Sequence, residues 1–143
     1  MANVVFRGHA GRKPQKDEAL AAATTAIKPG RIIRKSSGAF TNVFATDGKT
    51  LSAFLYVADV NMLDGISYTY ATGDTVQAYI PESGHIYQLE IATSQTILVD
   101  SPLTVNTAGQ LRLAVVGTDD IVAYAQEAIT TTASVGYVDA KIK

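Results

Sequence analysis

Ser83-Gly84-His85 sets a hydroxyl beside an imidazole, the groups from which an acyl-transfer nucleophile and its base are built. A nucleophile elbow needs glycines on both sides of the serine and a helix after it, whereas the alternation beyond His85 reads as a strand. Gly48-Lys49-Thr50 ends like a phosphate-binding loop, but position 43, where the first glycine belongs, holds Val43. Asp59, Asn61 and Asp64-Gly65 imitate a calcium loop, yet Leu63 stands where a ligand oxygen is needed and Asp64 where the glycine is needed. Asp119-Asp120 could do acid–base work as a pair, but it follows Gly117 and reads as an exposed turn with nothing to raise either pKa. With no cysteine and only two separated histidines, His9 and His85, no metal site and no cofactor is expected. The reading is of a protein that is not an enzyme.

The elements that would hold such groups are short strands. Period-two segments run over 31–35, 39–45, 51–60, 66–71, 75–80, 85–92, 96–99, 103–106, 111–116, 121–128 and 134–142. Gly, Pro, Asn and Asp clusters separate them, as at Asp47-Gly48, Gly73-Asp74 and Ala108-Gly109. Within 85–92, Tyr87, Leu89 and Ile91 share one face and Gln88 and Glu90 the other. Strands at this spacing predict a mainly β fold, a small barrel or sandwich. The sole helix expected is a short one near 16–26, where Asp17 and Glu18 precede an alanine-rich run.

Charge divides the chain. Residues 1–35 carry eight Lys/Arg (Arg7, Arg12, Lys13, Lys16, Lys28, Arg31, Arg34, Lys35) against Asp17 and Glu18, a net +6. The remainder carries four bases and eleven acids, a net −7, so the overall −1 conceals the separation. The sequence therefore predicts an extended basic N-terminal arm over 1–30 and a β-rich domain over 31–143. The arm is expected to lie on another protein's surface, with Val4, Val5 and Phe6 as apolar anchors and Arg7, Arg12, Lys13 and Lys16 as charged contacts. Nucleic acid is disfavoured as its partner, because the acidic body repels phosphates and only Phe6 interleaves the bases. No run approaches the ~20 apolar residues of a membrane span, and the N-terminus lacks the apolar stretch of a secretory signal, so synthesis in a cytoplasm is expected.

Gly73-Asp74-Thr75-Val76, His85-Ile86-Tyr87-Gln88-Leu89, Thr96-Ile97-Leu98-Val99 and Ser101-Pro102-Leu103-Thr104-Val105 with Gly109-Gln110-Leu111 follow one another in an order and rhythm that resembles tailed-bacteriophage capsid decoration (cement) proteins. Ile121–Ala128 and the final β-segment fit the same plan, so the resemblance covers residues 70–143. It implies a β-tulip-like domain, homotrimers bound to the major capsid protein lattice on the outside of the virion, and terminal arms that reach across neighbouring coat subunits. Residues 84–113 also resemble barrel-sandwich carrier domains, but their turns lack the lysine that such carriers modify. The alternative function is a β-barrel binding module for carbohydrate, with Tyr56, Tyr68, Tyr70, Tyr79 and Tyr87 as stacking platforms.

Overall fold

The computed structural model describes residues 5–8, 14–23, 26–50, 53–60 and 68–143. These residues form strands and turns with no helix, in chain order β1 (Phe6–Gly8), β2 (Gln15–Leu20), β3 (Ile32–Ser36), β4 (Ala39–Thr41), β5 (Tyr56–Ala58), β6 (Thr75–Ile80), β7 (Ile86–Ile91), β8 (Thr96–Ile97), β9 (Pro102–Val105), β10 (Leu111–Leu113), β11 (Ala123–Ala125), β12 (Ile129–Thr130) and β13 (Gly136–Ile142). The expected small β-barrel is present. Strands β7, β10, β9, β11 and β13 pair in that order, and β13 returns to β7 over six residue pairs, from Gly136 opposite Ile91 to Lys141 opposite Ile86. β10 meets β7 at one residue pair, and β1 with the Gly30 carbonyl occupies the rest of that edge. A second sheet orders β2-β6-β5-β3-β4, and a bridge between Ala21 and Phe40 draws its two outer strands together. A two-stranded ribbon, β8 with β12, completes the set.

The alternation in sequence explains why both sheets share one body. Inside the barrel lie Tyr87, Leu89 and Ile91 of β7, with Leu103, Val105, Leu111, Val138 and Ala140, all fully buried. A second core holds Ile27, Ile33, Phe40, Val76 and Ala78. Neighbouring residues of β3, β5 and β6 divide between the two: Ile32, Val57 and Tyr79 belong to the first core, and Ile33, Ala58 and Ala78 to the second. These three strands bury both faces, which places the second sheet against the barrel. Each fully buried aliphatic side chain contributes about 1.5–3 kcal/mol relative to exposure.

Two expectations for the N-terminal region need correction. The short helix near 16–26 is absent, and Gln15–Leu20 instead forms β2, antiparallel to β6 from Gln15 opposite Ile80 to Leu20 opposite Thr75. An eleven-residue helix is marginal in isolation, whereas the open edge of β6 supplies a ladder along the whole segment. The arm does not stand apart from the domain either. The edge of β7 left uncovered by β13 donates in turn from Gln88 to the Val5 carbonyl (2.7 Å), from Glu90 to Gly30 (3.0 Å) and from Ala92 to Leu111 (2.9 Å). Residues before position 31 thus satisfy backbone groups of the barrel itself.

The turn at Ala108-Gly109 docks the barrel onto β3, with the Ile32 N–H donating to the Gly109 carbonyl at 2.9 Å. Gly109 has φ of +80°, and a β-carbon there would lie 2.4 Å from the Ile32 carbonyl oxygen. Gly38 has nearly the same φ, +79°, with open space around it. Gly38→Ala is expected to cost about 1 kcal/mol from backbone strain alone. Gly109→Ala adds a backbone collision and is expected to cost at least about 2 kcal/mol more. Urea unfolding of the two variants tests this; equal midpoints would mean that the β3 contact is easily displaced.

Candidate interaction surface

The residues expected to reach a partner are, where described, committed to this chain. Val5 is fully buried. Phe6 packs edge-on against Tyr87 (5.4 Å between centroids) and His85 (5.5 Å), and lies 6.0 Å from Tyr79. Arg7 Nε is 3.3 Å from an Asp139 oxygen. Lys16 Nζ is 2.7 Å from Asp59 Oδ2 and sits over the Tyr79 ring. Val4, Arg12 and Lys13 lie outside the described residues. Lys35 pairs with Asp17 and Arg31 with Glu90, each at 2.5 Å. The separation of charge along the sequence is therefore partly closed up by folding: Arg7, Lys16 and Arg31 meet acids of the body, while Lys35 pairs within the N-terminal segment. In this conformation Val5 lies within the protein's own core and Phe6 is half-buried against it.

The near-motifs resolve into structural contacts. The buried His85 ring has Nδ1 3.1 Å from the Tyr87 hydroxyl and Nε2 3.4 Å from a Glu82 oxygen, while Ser83 is exposed beside it. Thr50 donates its N–H to Asp120 Oδ2 at 2.9 Å, and Lys49 Nζ donates to the Thr118 carbonyl, so the Gly48-Lys49-Thr50 turn fastens two loops together. Asn61 and Asp64 lie outside the described residues, and Asp59 is held by Lys16. Among the described residues no three His, Asp or Glu side chains gather as a metal would require. Of the tyrosines considered as sugar platforms, Tyr70, Tyr79 and Tyr87 are buried and Tyr56 and Tyr68 half-buried. Burial first, then the nearby Asp59 charge, pushes the Tyr70 and Tyr79 hydroxyls up, which keeps both protonated in the interior.

Arg112 joins the same two loops, with Nε 2.9 Å from Asp47 and Nη1 2.8 Å from Asp119. Hydrogen bonds from Arg112 and then from the Val115 N–H hold the Asp119 carboxyl below the usual carboxylate range. A folded pKa below the unfolded value of about 3.9 gives stability that is complete above that value and lost as pH falls through the folded one. Asp119→Asn is expected to lower the melting temperature at neutral pH and to match the wild type progressively as pH drops below about 4. A gap that stays constant down to pH ~2 would remove this carboxylate from the acid response.

What the surface does present is an apolar rim at one end of the barrel, with Asp100 and Lys141 as its charged neighbours. Leu98 and Val99 stand in the turn before β9, Leu113, Val115 and Val116 at and beyond the end of β10, and Tyr124 on β11. Backbone register brings these segments together. Leu113 pairs with Leu103, Ala114 donates to the Pro102 carbonyl at 2.9 Å, and Tyr124 lies opposite Pro102. Leu98 is 64% exposed and Val116 73%. Expecting strands over 96–99 and 111–116 concealed the rim: pairing stops at Ile97 and Leu113, and the apolar residues beyond are left outside. The available signal was consecutive aliphatics, Leu98-Val99 and Val115-Val116, running directly into turn residues without alternation. A separate cleft of about 330 Å³ lies between the two sheets, lined by Ile32, Leu55, Pro81, Val122 and Ile142, with Phe54 exposed at its edge.

No family model matches the chain, and no curated protein matches it in sequence. Among solved structures, the fold is similar to the crystal structure of the N base of the head fiber gp8.5 in bacteriophage phi29. The TM-score is 0.56 at 15% identity, over 90% of this chain and 95% of that one. At this identity it is a likeness of fold.

Proposed function

We propose that this chain is a non-enzymatic structural protein of a tailed-phage virion, bound to the outer surface of the head as a decoration protein that stabilises the shell. The observation that carries this reading is the fold shared, nearly end to end, with the base of a phage head fiber. The resemblance of residues 70–143 to decoration proteins points the same way, and implies a homotrimer on the major capsid protein lattice. The chemistry agrees with a scaffold: the histidine, carboxylates and glycine turns that could have formed a site are used to hold loops and strands. Intramolecular pairing of Arg7, Lys16, Arg31 and Lys35 leaves these bases little charge to offer a nucleic acid. Arg12 and Lys13 are the arm residues proposed to contact acidic coat side chains. Purified protein mixed with undecorated heads should co-sediment with them and add density to the shell by electron microscopy, and raise the temperature at which the heads release their contents. Heads that neither bind the protein nor gain stability would refute the reading.

A further inference from the structure

We propose that the apolar rim of Leu98, Val99, Leu113, Val115, Val116 and Tyr124 is the surface through which copies of this chain contact one another. The inference rests on the reading of an assembling virion protein and names the surface that assembly uses. The first argument is area. The six side chains leave on the order of 600 Å² of mostly apolar surface bare, at the top of the range for the largest patch on a monomer. With a polar margin this approaches the ~800 Å² that each partner contributes to a stable interface. The second argument is charge. A surface that meets a copy of itself must not repel itself, and the rim has only Asp100 within its segments and Lys141 opposite Tyr124, two charges of opposite sign. A partner recognised by charge would call for several fixed charges of one sign here, which the rim lacks.

The third argument is rigidity. Asp100 adopts φ of +67°, a left-handed conformation costly for a residue with a side chain. It is kept there by hydrogen bonds from its own N–H to the Ala125 carbonyl (2.8 Å) and from the Ala125 N–H to Ser101 (3.0 Å). The Ser101 hydroxyl accepts from the Leu98 N–H at 3.0 Å. The turn is thus built to hold two aliphatic side chains outward in fixed positions, and this preorganisation lowers the entropy lost on association.

Sedimentation velocity of the full chain without heads tests the proposal, using the wild type, Leu98→Glu/Val116→Glu, Val99→Lys, and Leu20→Glu as an exposed control on β2. The wild type and Leu20→Glu are expected to sediment as one oligomer at micromolar concentration. Burying an unpaired charge in the rim should weaken association by at least about 100-fold, so both rim variants should run as monomers with unchanged circular dichroism. A monomeric wild type overturns the proposal, as does a rim variant that stays oligomeric. A monomeric wild type whose rim variants lose head binding would assign the rim to the coat instead, and also overturns it. Failure of an oligomeric wild type to bind heads refutes the virion reading and leaves the self-contact supported.

Discussion

Deleting residues 1–28 is expected to abolish cooperative folding rather than release a compact β domain. The deletion removes β1 and β2, and with them the fully buried Val5 and Ile27 and the Phe6 ring packed on Tyr87. Losing these apolar side chains costs about 1.5–3 kcal/mol each for those fully buried. It also strips six pairings from β6 and reopens one edge of β7. Asp59, 4% exposed, loses Lys16, and a buried charge left without its partner costs about 3–5 kcal/mol. Together with the lost strand pairing, these losses are comparable to the about 5–15 kcal/mol by which a domain is usually stable. The truncated chain should show no sharp thermal transition, bind a hydrophobic dye and be digested rapidly by protease. A soluble truncation with a cooperative transition near that of the full chain would restore the idea of a separable arm. Phe6→Ala provides a graded version, expected to cost about 2–4 kcal/mol with the fold retained.

Glu90→Ala is expected to lower stability by about 3–5 kcal/mol, a melting temperature reduced on the order of 10–20 °C. Glu90 is 1% exposed, yet it lies on a strand whose other face already fills the barrel core. Its carboxylate meets Arg31 Nε at 2.5 Å and accepts from Gln110 Nε2 at 3.2 Å. Arg31 in turn donates from Nη1 to the Ala26 carbonyl at 2.8 Å. The pair binds the segment before β3 to the outside of β7, beside the Gly30 carbonyl that accepts the Glu90 N–H. Removing the acid leaves a guanidinium buried without its counter-ion. Arg31→Met should cost a similar amount for the converse reason. The double variant Arg31→Met/Glu90→Leu should recover most of the loss, since an apolar pair of similar volume avoids both desolvation penalties. Single variants within ~1 kcal/mol of the wild type would show that water reaches the site and replaces the missing partner.

Most strands from β3 onward were legible in sequence because their information is local, though β12 fell between two expected segments and described residues 68–71 of the strand expected over 66–71 form none. Thr75–Ile80 is matched residue for residue, and Tyr87, Leu89 and Ile91 point into the core as their alternation predicts. The N-terminal strands were not legible, because nothing within Gln15–Leu20 favours a strand over a helix. Only the partner, β6, makes that choice. Glu90 was read as facing away from the core, correctly, but an isolated strand cannot show that the segment before β3 covers that side.

Composition and spacing by themselves determined a mainly β protein, barrel or sandwich, with no cysteine chemistry, whose near-motifs lack the residues that catalysis or metal binding would require. Tertiary structure alone decided where the charge goes. Along the chain, Arg7 and Asp139 stand at opposite ends, and a basic segment beside an acidic one suggests attachment to something else. In space they are 3.3 Å apart, and the attraction is spent within the molecule. The same holds for apolar residues: Val5 and Phe6 suggested an exposed anchor, but Val5 is interior and Phe6 half-buried against the core, whereas Leu98 and Val116 suggested strand interiors and are exposed. The physical reason is common to both. Charge and hydrophobicity are properties of residues, but whether they remain available to a partner depends on long-range pairing, which brings together segments that share no sequence neighbourhood.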